Sequence, residues 1–303
     1  MTDEQRLRNL NVPKGPVDLV LDTDAYNEID DQFAISLALR SKEKITLKAL
    51  YAAPFLNHRS VSPEDGMERS YHEILKLLDL ARESVPVFRG SRSYLPDETH
   101  PVLSDAAKDL ADRAMNYTVE HPLYTVAIGA ITNIASALLL RPEIAERIVV
   151  VWLGGHAPEW PHNHEFNCYQ DVAAARVVFS SGAPLVVLPC FNVVSEFRTT
   201  GPELEYWLKG RGELAEYLWK NTVEEAESYA SGKPWSRVIW DVTTIGFLLN
   251  DGDRFMSSRL IPTPIPEYDD RLAMDYRRPL CRYVTHIDRD ALFEELFRKI
   301  SLN

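Results

Sequence analysis

Short, uniformly apolar runs alternate along the chain with longer stretches whose apolar residues recur at helical spacing. "VDLVLD" (17–22), "ITLKALYAA" (45–53), "VPVFRG" (85–90), "LYTVAIGA" (123–130), "VVVWLGG" (149–155) and "PLVVLP" (184–189) are the runs. Runs this short predict strands buried on both faces. Between them, "DDQFAISLALRS" (30–41), "MERSYHEILKLLDLA" (67–81), "DAAKDLADRAMNYTVE" (105–120) and "DVAAARVVFSSG" (171–182) predict helices. "ITNIASALLLRPEIAERI" predicts a helix pair broken at Pro142, because proline cannot continue a helix interior. Residues 202–230 predict acidic helix and "WDVTTIGFLLN" (240–250) an apolar one. The tail predicts a strand near 281–286 and a helix over 288–300, and residues 1–16 an irregular arm.

This alternation predicts the α/β class: an open, mainly parallel, Rossmann-like sheet with helices on both faces. No low-complexity linker or internal repeat interrupts it, so residues 1–303 are expected to form one domain. Open parallel sheets bind ligands at the carboxyl ends of their strands. Asp22, Asp24, Thr132, Asn133, Gly154, Gly155, His156 and Asn192 all follow predicted strands and are expected to converge there.

Charge narrows the choice of ligand. The formal net charge is −12, which argues against nucleic acid or an anionic membrane as partner, since both need clustered Lys and Arg. No apolar run approaches the length of a membrane span, and "MTDEQRLRNLNVPKGP" carries no apolar core of a signal peptide. Cys168, Cys190 and Cys281 are odd in number and far apart, which fits a reducing, cytoplasmic setting. A small-molecule partner is expected.

The candidate chemistry lies in "DTDAYNEIDD" (22–31), which holds Asp22, Asp24, Glu28, Asp30 and Asp31. Two unit charges 4 Å apart repel by about 4 kcal/mol at an effective dielectric near 20. A divalent cation removes that cost, and all-oxygen ligands favour Ca²⁺ or Mg²⁺ over zinc. The plain alternative is loop solvation and helix capping, with Asp30 and Asp31 favoured by the dipole at a helix start.

The strand followed by "DTD…DD" and an apolar helix resembles the nucleoside hydrolases of the inosine–uridine-preferring type. "RSYHEILKLLDLARESVPVFRGS", "LYTVAIGAITNIASALLLRPEI", "EFNCYQDVAAARVVFSSGAPLVVLP" and "WDVTTIG" are similar to further segments of that family, in the same order. The resemblance covers most of residues 17–300. It implies a Ca²⁺ ion held by Asp24, Asp31, the carbonyl of Thr132 and Asp241. It also implies Asp24 as general base, Asp30 and Asn167 on ribose hydroxyls, Glu165 at the 5′ side, and Asp22 as support. The implied reaction is hydrolysis of an N-glycosidic bond by a homo-oligomer, dimer or tetramer.

The chain departs from that family's pattern on the side of the leaving group. Its acidic loop is two residues longer. Trp240 stands where many relatives carry a histidine that protonates the leaving base; Trp cannot act as an acid at neutral pH. It can stack on a base, or simply fill the core. Asn57 and Asn163 are out-of-register equivalents of the family's asparagines, and His156, His162 and His164 are alternative acids. Two rival readings follow: a DxD phosphatase using Mg²⁺, and a non-catalytic sugar- or metal-binding relative.

Overall fold

The computed structural model describes residues 1–301. Six parallel strands form the body of the sheet: β1 (Val17–Thr23), β2 (Ile45–Ala52), β3 (Val87–Arg89), β4 (Leu123–Ala127), β5 (Ile148–Leu153) and β6 (Leu185–Leu188). Their order is β3-β2-β1-β4-β5-β6. The strand Leu280–Ile287 follows, parallel to β6, and Met256–Pro262 closes the edge antiparallel to it. The mainly parallel sheet expected from the apolar runs is therefore present.

Along β1 the side chains alternate faces even through the consecutive apolar residues Leu19 to Leu21. Leu19 and Leu21 enter one buried cluster with Phe33 and Leu37, whereas Val20 enters the other with Tyr51 and Trp152. Helices cover both faces, as two-sided burial of the strands requires. Those that matter to the site are α2 (Asp31–Arg40) and α5 (Thr132–Leu140), with α1 (Asp3–Asn9), α3 (Pro63–Ala81) and α4 (Asp105–Arg113) counted in chain order. Among the described residues no helix is long and apolar enough to cross a membrane.

Three expectations need correction. The N-terminal arm is not irregular: Asp3–Asn9 is a helix, closed by a reciprocal capping box between Thr2 and Gln5. Its seven residues are too few to show an apolar period. Residues 202–230 are two helices, Gly201–Leu208 and Glu213–Ala230, parted where Gly210 and Gly212 take positive φ of 75° and 105°. The helix expected over 105–120 ends at Arg113 in one 3₁₀ turn. The edge strand Met256–Pro262 had no signal, because most of its residues are exposed or half-buried.

Strand order fixes where a ligand can enter. From β1 the chain moves outward to β2 and β3, then returns to pair β4 on the other flank of β1, with Asp22 opposite Ala127. The crossovers part at the carboxyl ends of β1 and β4, which opens a crevice there.

Candidate active site

β1 delivers Asp22 and Asp24 to that crevice, and the start of α2 delivers Asp30 and Asp31; all four are buried. Asp241 arrives from the far side, just before the short helix Val242–Leu248. Asp30 and Asp241 both occupy capping positions, yet neither side chain makes a capping hydrogen bond among the described residues. Helix capping therefore does not account for them. Ligand oxygens of Asp30, Asp31 and Asp241 lie within 4.8 Å of one another.

Burial is the main influence on every acid of the group. It pushes Asp22 and Asp31 up to about 7, and Asp24, Asp30 and Asp241 well above the usual carboxylate range. Repulsion from Asp31 and Asp30 adds to the rise at Asp24, and Asp30 and Asp31 add to it at Asp241. Opposing contacts are few: Thr23 Oγ1 donates to Asp31 at 2.5 Å and Asn133 Nδ2 to Asp22 at 2.8 Å. Neither oxygen of Asp24 has a hydrogen-bond partner among the described residues.

Asp24, Asp30, Asp31 and Asp241, but not Asp22, floor a cavity of about 180 Å³ that also takes in Asn27, Glu28, Ile128, His156, Glu165, Asn167, Phe191 and Trp240. A larger groove of about 750 Å³ lies under the N-terminal helix, at the opposite end of β1, lined by Leu7, Pro13, Val17 and Tyr124. It contains none of the clustered acids.

Several candidates read from the sequence play parts other than those expected. Thr132 does not line the cavity; its hydroxyl donates to Asp171 at 2.6 Å, and Ile128 is the residue beyond β4 that faces the site. Asn57 lies outside the lining and donates to Asn27 Oδ1 at 2.6 Å. Asn163 is likewise behind the wall, accepting the His156 N–H at 2.8 Å. Glu165 lines the cavity, but its carboxylate already accepts the N–H groups of Gly155, Asn167 and Cys168. Asn167 ties two strand ends together, donating to the carbonyls of Ile128 and Leu153. Asn192 does not converge on the site: it is exposed at φ 72°, turning the chain, and its neighbour Phe191 faces the cavity instead.

The longer acidic loop is anchored from outside. Glu28 pairs with Arg237 at 2.9 Å, and the Arg59 and Arg69 guanidinium groups lie 5.9 and 5.7 Å from the Tyr26 ring. Asn27 and Glu28 thus become cavity wall. Phe191, which sequence reasoning missed, lies beside Trp240 with ring centroids 6.0 Å apart. Its only signal was its place three residues beyond the end of β6.

The family described as inosine-uridine preferring nucleoside hydrolase matches residues 19–294. The chain belongs to that family. Its members are hydrolases acting on N-glycosyl compounds. A pyrimidine-specific ribonucleoside hydrolase, RihA of Enterobacter sp. (strain 638), is 29% identical over 194 residues, 56% of this chain. The match spans 58% of that protein's length. A probable uridine nucleosidase 2 of Arabidopsis thaliana is 26% identical over 224 residues, covering 67% of each chain. The purine-preferring ribonucleoside hydrolase from Gardnerella vaginalis superimposes with a TM-score of 0.74 at 21% identity, covering 94% of this chain and 98% of that one. That last likeness concerns the fold alone. The named preferences include pyrimidine and purine, so family membership leaves the base open.

Family membership also raises the matter of a metal, and the donors present suit one. Four buried carboxylates face one another, and both oxygens of Asp24 are buried without a partner among the described residues. Unpaired buried charge on this scale is costly unless a cation meets it.

Proposed function

We propose that the protein hydrolyses the N-glycosidic bond of a ribonucleoside or related riboside, with Ca²⁺ held among Asp24, Asp31 and Asp241 and with Asp30 beside them. The observation that carries this reading is the buried, unpartnered carboxylate of Asp24 at the floor of the cavity. When bound, such a cation supplies Lewis acidity that acidifies a water and anchors the hydroxyls of a ribose. The backbone contribution to its site comes from Ile128 rather than from Thr132, since Ile128 is the residue that lines the cavity.

Each residue has a task in that chemistry. Asp24 takes the proton of the attacking water on a carboxylate oxygen. Asp30 and Asn167 bind the sugar hydroxyls. Glu165 holds the Asn167 loop in place through its three backbone contacts. The glycosidic carbon gains positive charge as the bond breaks, and the surrounding carboxylates stabilise it. Trp240 and Phe191 form an aromatic wall on which a planar leaving group can stack.

The test is a screen of purified protein with Ca²⁺ against ribonucleosides and simple ribosides, following release of free ribose. Turnover that is lost on chelation and in Asp24→Asn is expected. Absence of hydrolysis across the panel, with ribosides still bound, would instead favour a non-catalytic binding protein. Phosphate release from a generic phosphoester would favour the DxD phosphatase.

A further inference from the structure

His156 follows β5 and the Gly154–Gly155 turn, and its surroundings fix all of it except one atom. Its N–H donates to Asn163 Oδ1 at 2.8 Å, and its carbonyl accepts the Tyr283 hydroxyl at 2.9 Å. The ring lies on Phe191, with centroids 4.7 Å apart and planes 24° from parallel. Nδ1 faces the Phe191 backbone N–H at 3.2 Å. A backbone N–H can only donate, so Nδ1 is the bare nitrogen, and the proton of the neutral ring sits on Nε2.

That Nε2–H is the unspent group. It is buried and has no partner among the described residues, in a side chain that lines the cavity and is only 2% exposed. A buried donor left unpaired is costly, which is reason to look for an acceptor that arrives with the ligand. Burial, and then the neighbouring His162, lowers the ring's pKa to about 4. At neutral pH the imidazole therefore carries no extra proton to give away, and it serves as a neutral donor. Phe191 touches both His156 and Trp240, so the donor belongs to the aromatic side of the cavity.

We propose that His156 is a specificity-determining residue: its neutral Nε2–H donates a hydrogen bond to a keto oxygen or ring nitrogen of the nucleobase. The bond tightens as the departing base gains electrons, without transfer of the proton. The site then prefers leaving groups that carry such an acceptor. This rests on the hydrolase reading above, and the experiment separates the two.

Wild type, His156→Phe and His156→Gln are compared on inosine, uridine and 4-nitrophenyl riboside, whose ring carries no acceptor next to the glycosidic bond. His156→Phe is expected to lower kcat/KM on at least one nucleoside about 10–100-fold. The ratio of nucleoside to aryl-riboside activity should fall about tenfold, and His156→Gln, which keeps a donor, should restore part of it. An unchanged ratio in His156→Phe overturns the proposal while leaving the hydrolase reading intact. Imidazole ¹⁵N spectra decide the matter independently of turnover. A proton on Nε2, and an Nε2 resonance that moves on adding free hypoxanthine or uracil, support it even if no riboside is cleaved and the hydrolase reading fails. A proton on Nδ1, or an Nε2 resonance unmoved by saturating base, overturns it.

Discussion

Asn133 donates from Nδ2 to Oδ1 of Asp22 at 2.8 Å, tying helix α5 to the carboxyl end of β1. The amide oxygen of the same residue accepts the N–H and hydroxyl of Ser91 and the hydroxyl of Ser104. One buried side chain thus joins three segments behind the acidic floor. Asn133→Ala removes the donor from Asp22 and leaves the Ser91 N–H unpaired. A loss of about 2–4 kcal/mol in urea unfolding is expected. Asn133→Asp should cost more, because it sets a second buried carboxylate against Asp22. A wild-type midpoint in either variant would contradict this account.

Asp24→Asn should separate function from stability. Turnover is expected to fall about 1000-fold or more, since the general base and a metal ligand are lost together. In chelator, however, the variant should melt higher than wild type. Asp24 is buried against Asp31 and Asp30, both of which disfavour its charge. Asn is buried there without either ionisation or proton uptake, a gain of the kind that active sites commonly forgo. A variant that melts lower than wild type without metal would refute the strain argument.

Much of this arrangement is legible in the sequence, for a physical reason. The apolar run of β1 breaks at Asp22, one residue before the strand ends, and strand ends are where ligands bind. Asp24 could be placed in the crevice on that ground and Asp30 and Asp31 by their nearness in the same short stretch, whereas Asp241 was reached only through the family resemblance. The same rule could not tell Ile128 from Thr132, because the path of a turn after a strand leaves no periodic trace. Phe191 was hidden because it reads as a continuation of the apolar run before it. Asn57 and Asn163, which lie outside the cavity lining, were hard to place for another reason. Short amides serve loops as readily as ligands, and only the fold shows that these two bond to Asn27 and His156.

Gly129 tests how tightly the floor is built. A Cβ at this position would stand 2.9 Å from Cγ and Oδ1 of Asp24, and 3.2 Å from the Cβ of Ala53. Asp24 cannot retreat without leaving its place among the other acids. Gly129→Ala is therefore expected to fold yet lose about 10–100-fold in kcat/KM, through displacement of a group whose position matters at the 1 Å scale. Unaltered kinetics would show that the floor yields.

The strongest dependence should be on pH and metal together. Asp22 and Asp31 are pushed up to about 7 in the folded protein, from an ordinary value of 3.8. The folded state therefore binds more protons than the unfolded one between those values, and stability must fall as pH rises through that window. Asp24, Asp30 and Asp241 are raised as well, so their protons add to the fall in the same direction. A divalent cation acts in the opposite sense. It binds the deprotonated carboxylates, so its stabilisation should be small near about pH 5 and grow toward about pH 8, with protons released on binding. Thermal melts in chelator and in excess Ca²⁺ across that range measure both slopes. The expected result is a melting temperature that declines with pH in chelator and a gap between the two curves that widens. A gap that narrows toward alkaline pH would mean that the cation does not bind at these carboxylates.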